Sequence, residues 1–165
     1  AFPYVELAIY EANFGQKYRF FWHPILKDIG DVGYAATTET LQTKTDQLNR
    51  FSRAIAKAAI LIRVNPQLAA KYFLMGEQLK PTPEALANET KLLELTTNQL
   101  PGNNPASKTI GLMSANGMSF LANFLYQNGL TKEVVPTSSL VTDKYIKYAN
   151  DFDHVAWIAE AKKMH

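Results

Sequence analysis

The order of secondary-structure signals along this chain is the feature that most constrains its fold. Two short strand candidates, at residues 18–22 and 32–37, precede the long helical region, and Gly30-Asp31 gives a turn before the second. From about residue 44 onward, apolar residues recur with helical spacing. Because a two-stranded sheet is marginal on its own, we expect these strands to pair with others supplied by chain that precedes Ala1. The predicted fold class is therefore α/β, helix-rich in this half.

Two helices are predicted from apolar spacing. The first covers residues 4–14 and should end at Gly15. The second covers residues 46–64 and should turn one apolar stripe toward a core, because its apolar residues recur every three or four positions. The members of this stripe are Leu48, Phe51, Ile55, Ala59 and Ile62.

Caps and stops delimit the later helices. Asn65-Pro66 and the segment 82–84 each combine a capping residue with a following proline, and they predict helices to about residues 74 and 95. A further helix is expected over residues 110–127, with Gly129 as its stop. Short terminal helices are expected after Thr142-Asp143 and after residues 151–153.

The composition excludes several functional classes. The chain has no cysteine, so thiolate metal sites, disulfides and cysteine nucleophiles are excluded. Its net charge is +2 and its basic residues are scattered, whereas a nucleic-acid-binding protein needs them on one face. We therefore expect no nucleic-acid partner. No apolar run approaches the roughly 20 residues that a membrane helix needs.

No pattern in the sequence favours catalysis, a metal or a cofactor. The three histidines, His23, His154 and His165, have no partner at metal-ligand spacing. Neither a phosphate-binding glycine loop nor a Gly-x-Ser-x-Gly elbow occurs. Glu6 and Glu11 are five residues apart on a predicted helix, so they face different directions. We expect no enzyme activity, no metal and no cofactor.

Several aromatic residues and the carboxylate of Glu6 lie in the first 37 residues, near the predicted strand ends. In open α/β folds, ligands bind in the crevice beside the carboxyl ends of strands. Aromatic faces suit a flat or apolar ligand, and a carboxylate suits an amine or a ring N–H. The alternative is that the aromatic residues fill the core under the sheet. The candidate ligand-binding residues are Tyr4, Glu6, Tyr34, Phe2 and Trp22.

Four stretches of the chain, taken in order, match the pattern of a known family. The first is an aromatic segment that leads into a helix bearing a glutamate and ending at a glycine, residues 1–15. The second is residues 37–41 followed by residues 45–51 (Thr-Asp-Gln-Leu-Asn-Arg-Phe). The third is the alanine-rich segment 54–59, which runs into Asn65-Pro66. The last is the amphipathic helix 120–127, ending in Asn-Gly-Leu, with the turn 142–146 (Thr-Asp-Lys-Tyr-Ile) after it.

With these stretches the chain resembles the C-terminal half of ABC-transporter periplasmic substrate-binding proteins of the thiamine-precursor, nitrate, sulfonate and taurine group. The chain departs from the pattern at Lys44-Thr45, where a proline is common, and in a longer loop at residues 99–107. The resemblance implies a two-lobed periplasmic-binding-protein (type 2) fold with the ligand clamped by hinge motion. Residues 1–37 would be the remainder of one α/β lobe and a crossover strand. Residues 38–165 would be the helical C-terminal part that packs on the other lobe.

The implied function is the solute-binding component of an ABC importer. Its partners would be a small-molecule ligand, the membrane permease and an N-terminal segment of the same protein, and its location would be periplasmic or lipid-anchored and extracytoplasmic. The ligand would be pyrimidine-like or another heteroaromatic, or a sulfonate- or nitrate-type anion. An alternative on the same fold is a pyrimidine-precursor biosynthetic enzyme, against which the lack of cysteine counts. A helical interaction module is the third hypothesis.

Overall fold

The computed structural model describes residues 9–11, 13–19, 21, 33–99 and 109–165. Helices dominate this part of the chain, which confirms the helix-rich half of the predicted fold class. Residues 9–11 and 13–14 are helical and are called α1. The helices that follow are α2 (Thr38–Thr43), α3 (Thr45–Val64), α4 (Pro66–Gly76), α5 (Pro83–Gln99), α6 (Ala115–Gln127), α7 (Thr137–Leu140), α8 (Ile146–Asn150) and α9 (His154–Ala161).

The two predicted strands do not appear among the described residues. Residues 18, 19 and 21 of the first candidate, and residues 33–37 of the second, have no regular structure. A strand needs a neighbour for its backbone groups, and nothing in the described ranges pairs with either segment. The described residues therefore do not support the α/β part of the predicted fold class.

Helix α3 is the central element, because it packs against α8, α4, α9, α5 and α2. Its length agrees with the predicted helix over residues 46–64, but its buried face differs from the prediction. The buried residues of α3 are Ala56 and Ile60. Phe51, predicted to face the core, is 43% exposed. The partner helices cover a face next to the predicted stripe, so the prediction for Phe51 was wrong.

The core around α3 consists mostly of small side chains, which lets the helices approach closely. Helix α4 contributes four core residues, and α8 and α9 contribute one each. Tyr145, directly before α8, is also part of this core. Helix α6 packs on α7 and has its own buried residues, Met118 and Ala122. The core residues around α3 are Ala56, Ile60, Leu68, Ala69, Ala70, Leu74, Tyr145, Ala149 and Ala161.

Caps predicted from the sequence are present at the helix ends. The side-chain oxygen of Asn65 accepts a hydrogen bond from the Leu68 amide at 3.1 Å, with Pro66 in the first turn of α4. Thr82 caps α5 in the same way, through the Ala85 amide at 3.2 Å. After α6, Gly129 has φ +70°, a left-handed conformation that favours glycine.

The start of α6 differs from the predicted helix over residues 110–127. Gly111 has φ +90°, which is outside the range of a right-handed helix. The Asn150 side chain binds both the amide and the carbonyl of Ile110. The Ile110 amide donates to the Asn150 side chain at 2.8 Å, and that side chain donates to the Ile110 carbonyl at 3.0 Å. Ser114 then caps the Gly117 amide at 3.2 Å. A long-range contact therefore delays the helix to Ala115.

Candidate functional site

Tyr34 and Phe51 form an exposed aromatic pair, which we call the aromatic corner. Their ring centroids are 5.0 Å apart and the ring planes are inclined at 86°, so the edge of one ring meets the face of the other. Tyr34 is 73% exposed, in contrast to the aromatic residues of a core. Two apolar surfaces therefore stand nearly at right angles and open to solvent.

Tyr34 lies in a non-helical segment that leads into α2. The N-cap of α2 is Thr37, whose side-chain oxygen accepts from the Thr40 amide at 3.2 Å. On the other side of Tyr34, Gly33 lies beside Met113, close enough that an added Cβ would meet the Met113 methyl at 3.8 Å. The Tyr34 backbone therefore runs between the start of α2 and the segment before α6.

Phe51 is held through its own helix, because α3 is tied to α8 next to it. Both Nε and Nη2 of Arg53 donate to the Tyr148 carbonyl oxygen, each at 3.0 Å. The Arg53 guanidinium also lies 3.9 Å from the centroid of the Tyr148 ring, a cation–π contact. Asp151 adds a longer ion pair with Arg53 at 3.6 Å. This turn of α3 is therefore fixed two residues after Phe51.

The junction between α2 and α3 is tied to the beginning of α8 by two further bonds. The buried Tyr145 donates its hydroxyl to the Leu41 carbonyl at 3.3 Å. Its neighbour Lys144 donates to the Thr45 hydroxyl at 3.4 Å. The segments that carry Tyr34 and Phe51 thus share one support, which is what a binding surface needs if its geometry is to persist.

A second aromatic cluster lies further along α3, and its members are engaged with one another. The Trp157 indole N–H donates to the Lys57 carbonyl at 3.1 Å. The Lys57 ammonium lies 4.6 Å from the Trp157 ring and 5.4 Å from the Phe152 ring. His154 stacks on Phe152 with centroids 4.4 Å apart. These contacts attach α9 to α3.

Two carboxyl groups in the described ranges have shifted pKa values, and neither belongs to the aromatic corner. A hydrogen bond from Lys17 is the main cause that lowers the pKa of Glu11, and the two groups form an ion pair at 2.8 Å. Burial raises the pKa of Glu89 on α5. Within the same ranges, no group of three histidine or acidic residues is arranged to hold a metal ion. No helix there is both long and apolar enough to cross a membrane.

The structure describes one of the five candidate ligand-binding residues. Tyr34 is exposed and packs on Phe51, whereas Phe2, Tyr4, Glu6 and Trp22 lie outside the described residues. Phe51, which contacts Tyr34, was not among the candidates because its helical spacing matches the rest of the stripe. Nothing in the sequence distinguishes it from a core residue, since its exposure depends on which helices pack against α3.

Comparison of the chain with protein-family models, with curated proteins and with solved structures finds no match. The functional assignment therefore depends on the geometry of the described residues and on the resemblance carried by the four sequence stretches.

Proposed function

We propose that this chain is part of the solute-binding component of an ABC importer and that the aromatic corner faces the ligand cleft. One observation carries the proposal: Tyr34, singled out from the sequence as a cleft residue, is 73% exposed and rests edge-to-face against Phe51. An aromatic residue used to fill a core would be covered. Two exposed aromatic rings on a fixed support can form part of the wall against which a small ligand packs.

The motifs that carry the resemblance lie at helix boundaries. The Asn65-Pro66 motif falls at the junction of α3 and α4, and the Asn-Gly-Leu motif directly follows α6. The turn 142–146 leads into α8, which the Arg53 contacts join to α3. The motifs therefore coincide with the junctions that define this helical part.

In the proposed protein, residues 1–37 belong to one α/β lobe and the crossover, and residues 38–165 pack on the other lobe. An N-terminal segment of the same protein supplies the remaining strands and the opposite wall of the cleft. The ligand stabilises the closed state because it contacts both walls at once. The protein acts in the periplasm or from a lipid anchor outside the cytoplasm, and it delivers the ligand to the membrane permease.

The ligand class that the corner favours is a small heteroaromatic, such as a pyrimidine, over a sulfonate or nitrate. The rings of the corner offer aromatic faces. The two arginines closest to Phe51 along α3 already have partners: Arg50 pairs with Asp46 at 3.1 Å, and Arg53 is bound to Tyr148. An anion would need a free cation or several backbone N–H groups.

Calorimetric titration of the complete two-lobed protein tests the proposal. The probes are 4-aminopyrimidine, benzenesulfonate, methanesulfonate and nitrate, with ribose as the control. We expect saturable binding of at least one probe, tightest for the pyrimidine, and recovery of the bound probe unchanged by mass spectrometry. Binding of no probe by the folded protein would contradict the proposal, and chemical conversion of a probe would favour the enzyme alternative.

A further inference from the structure

Building on the proposed function, we propose that Phe51 contacts the ligand and selects a flat aromatic ring over a saturated ring of similar size. The observation behind this is that Phe51 is not used by the core. Ala56 and Ile60 are the buried residues of α3, while the Phe51 ring is turned toward Tyr34 and remains 43% exposed.

The edge-to-face geometry gives the selectivity. In this pair, the edge of the first ring meets the face of the second ring. A flat ligand that lies parallel to the first ring stacks on the face of that ring. The same ligand directs its own edge at the face of the second ring. Both arrangements are the ones that aromatic rings prefer. A puckered, saturated ring has neither a π face nor a flat edge to offer. The corner formed by Tyr34 and Phe51 therefore discriminates by ring shape and not by charge.

Phe51 is held in place before any ligand arrives, because its neighbours on α3 are bound. The Ser52 hydroxyl donates to the Leu48 carbonyl at 2.8 Å, and Arg53 is fixed to Tyr148 by two hydrogen bonds at 3.0 Å. A side chain on a rigid helix loses less freedom when a ligand binds, so more of the contact energy contributes to affinity.

Another exposed aromatic pair in the described ranges provides the matched control. Phe120 and Phe124 stack along α6 with centroids 6.2 Å apart and an interplanar angle of 20°. They are 40% and 47% exposed, similar to Phe51. Both rings come from one helix and lie nearly parallel, so they form no corner. Phe124→Leu therefore removes the same ring area from a surface that we do not assign to the ligand.

The test measures the dissociation constants of the complete protein for two matched probe pairs. These are pyrimidine with 1,3-dioxane, which are both neutral six-membered rings with two heteroatoms, and benzenesulfonate with cyclohexanesulfonate, which carry the same sulfonate group; in each pair the rings differ in flatness. We expect Phe51→Leu to weaken flat-probe binding about tenfold while saturated-probe binding stays within about twofold. Phe51→Tyr should retain the preference, and Phe124→Leu should change neither value.

The outcomes distinguish a failure of the inference alone from a failure of the proposed function. If the wild type binds a flat probe and Phe51→Leu leaves its affinity within twofold, the inference is wrong and the proposed function stands. If the wild type prefers saturated probes, the inference is also wrong. Binding of no probe at all contradicts both. If Phe51→Leu does not fold, the ring ¹³C signal of Phe51 in the wild type decides: a shift on adding 4-aminopyrimidine supports the inference, and no shift contradicts it.

Discussion

The Arg53 guanidinium contacts Tyr148 in two ways at once. It lies 3.9 Å from the centroid of the Tyr148 ring and donates two hydrogen bonds, each 3.0 Å long, to the carbonyl oxygen of the same residue. These residues are 95 positions apart in the sequence, so one side chain joins α3 to α8. Phe51 lies two residues before Arg53, on the same turn of α3.

Loss of the Arg53 side chain should therefore destabilise the protein more than loss of a neighbouring arginine. We expect Arg53→Ala to lower the free energy of unfolding by about 1.5–3 kcal/mol, the usual value for hydrogen bonds to a charged group. Arg50→Ala removes only an exposed pair with Asp46 and should cost about 0.5 kcal/mol or less. Urea denaturation measures both, and equal losses would show that the Tyr148 contact adds nothing.

Asn65 should control both the start of α4 and the position of the C-terminal segment. Its side-chain oxygen caps the Leu68 amide, while its side-chain nitrogen donates to the carbonyls of Ala161 and Met164 at 2.9 and 3.0 Å. Asn65→Asp keeps the acceptor and loses the donor. We expect faster hydrogen exchange in residues 154–164 with little change at the start of α4.

The matched variant for this experiment is Asn65→Ala, which removes the cap as well. It should cost about 1–2 kcal/mol and accelerate exchange at both places. Unchanged exchange over residues 154–164 in Asn65→Asp would mean that the two carbonyl contacts do not hold α9 against the start of α4.

Because Phe51 is more exposed than Ile60, its replacement should destabilise the protein less. Ile60 is 6% exposed and Phe51 is 43% exposed on the same helix. We expect Ile60→Ala to lower the free energy of unfolding by about 2–5 kcal/mol, as for a buried aliphatic residue. Phe51→Ala should lower it by about 1 kcal/mol, because folding removes a smaller fraction of the Phe51 side chain from water. Chemical denaturation of the two variants compares them. A Phe51→Ala loss as large as that of Ile60→Ala would place Phe51 in the core.

Glu89 should make stability depend on pH above the usual titration range of a carboxyl group. Burial raises the pKa of Glu89 in the folded state, so the protonated form favours folding and the carboxylate opposes it. The stabilising contribution is present below the ordinary pKa and is lost as the pH rises through the raised one. Glu89→Gln should therefore gain stability relative to the wild type as the pH rises from 4 to 7.

The control for Glu89 is Glu94→Gln, which alters an exposed glutamate on the same helix. We expect Glu89→Gln to gain more stability than Glu94→Gln as the pH rises, because burial raises the pKa of Glu89. Thermal unfolding at a series of pH values gives both curves. A level curve for Glu89→Gln would show that its carboxyl group is solvated in the folded protein.

Local signals in the sequence predicted the helix boundaries well, because capping is a local interaction. Asn65-Pro66 and Gly129 are correctly assigned, since a cap needs only its own residue and the next turn. The start of α6 was missed because Asn150, forty residues away, binds Ile110. The exposure of Phe51 was missed for a similar reason, because helical spacing does not say which partner helices cover which face of α3.

The candidate site was predictable only in part. Tyr34 was selected because it is an aromatic residue near a predicted strand end; the structure shows that it is exposed, and its role in binding stays a prediction. Its partner Phe51 comes from a separate helix, and the contact between them depends on the packing of α2, α3 and α8. Positions 2, 4, 6 and 22 lie outside the described residues, so their role stays a prediction.

Small-angle X-ray scattering of the complete protein, with and without its ligand, tests the two-lobed account most directly. A protein that clamps a ligand between two lobes closes by hinge motion. We expect the radius of gyration to decrease when the saturating ligand is added, and Tyr34→Ala to require more ligand for the same decrease. An identical scattering curve with and without a ligand that calorimetry shows to be bound would contradict the account.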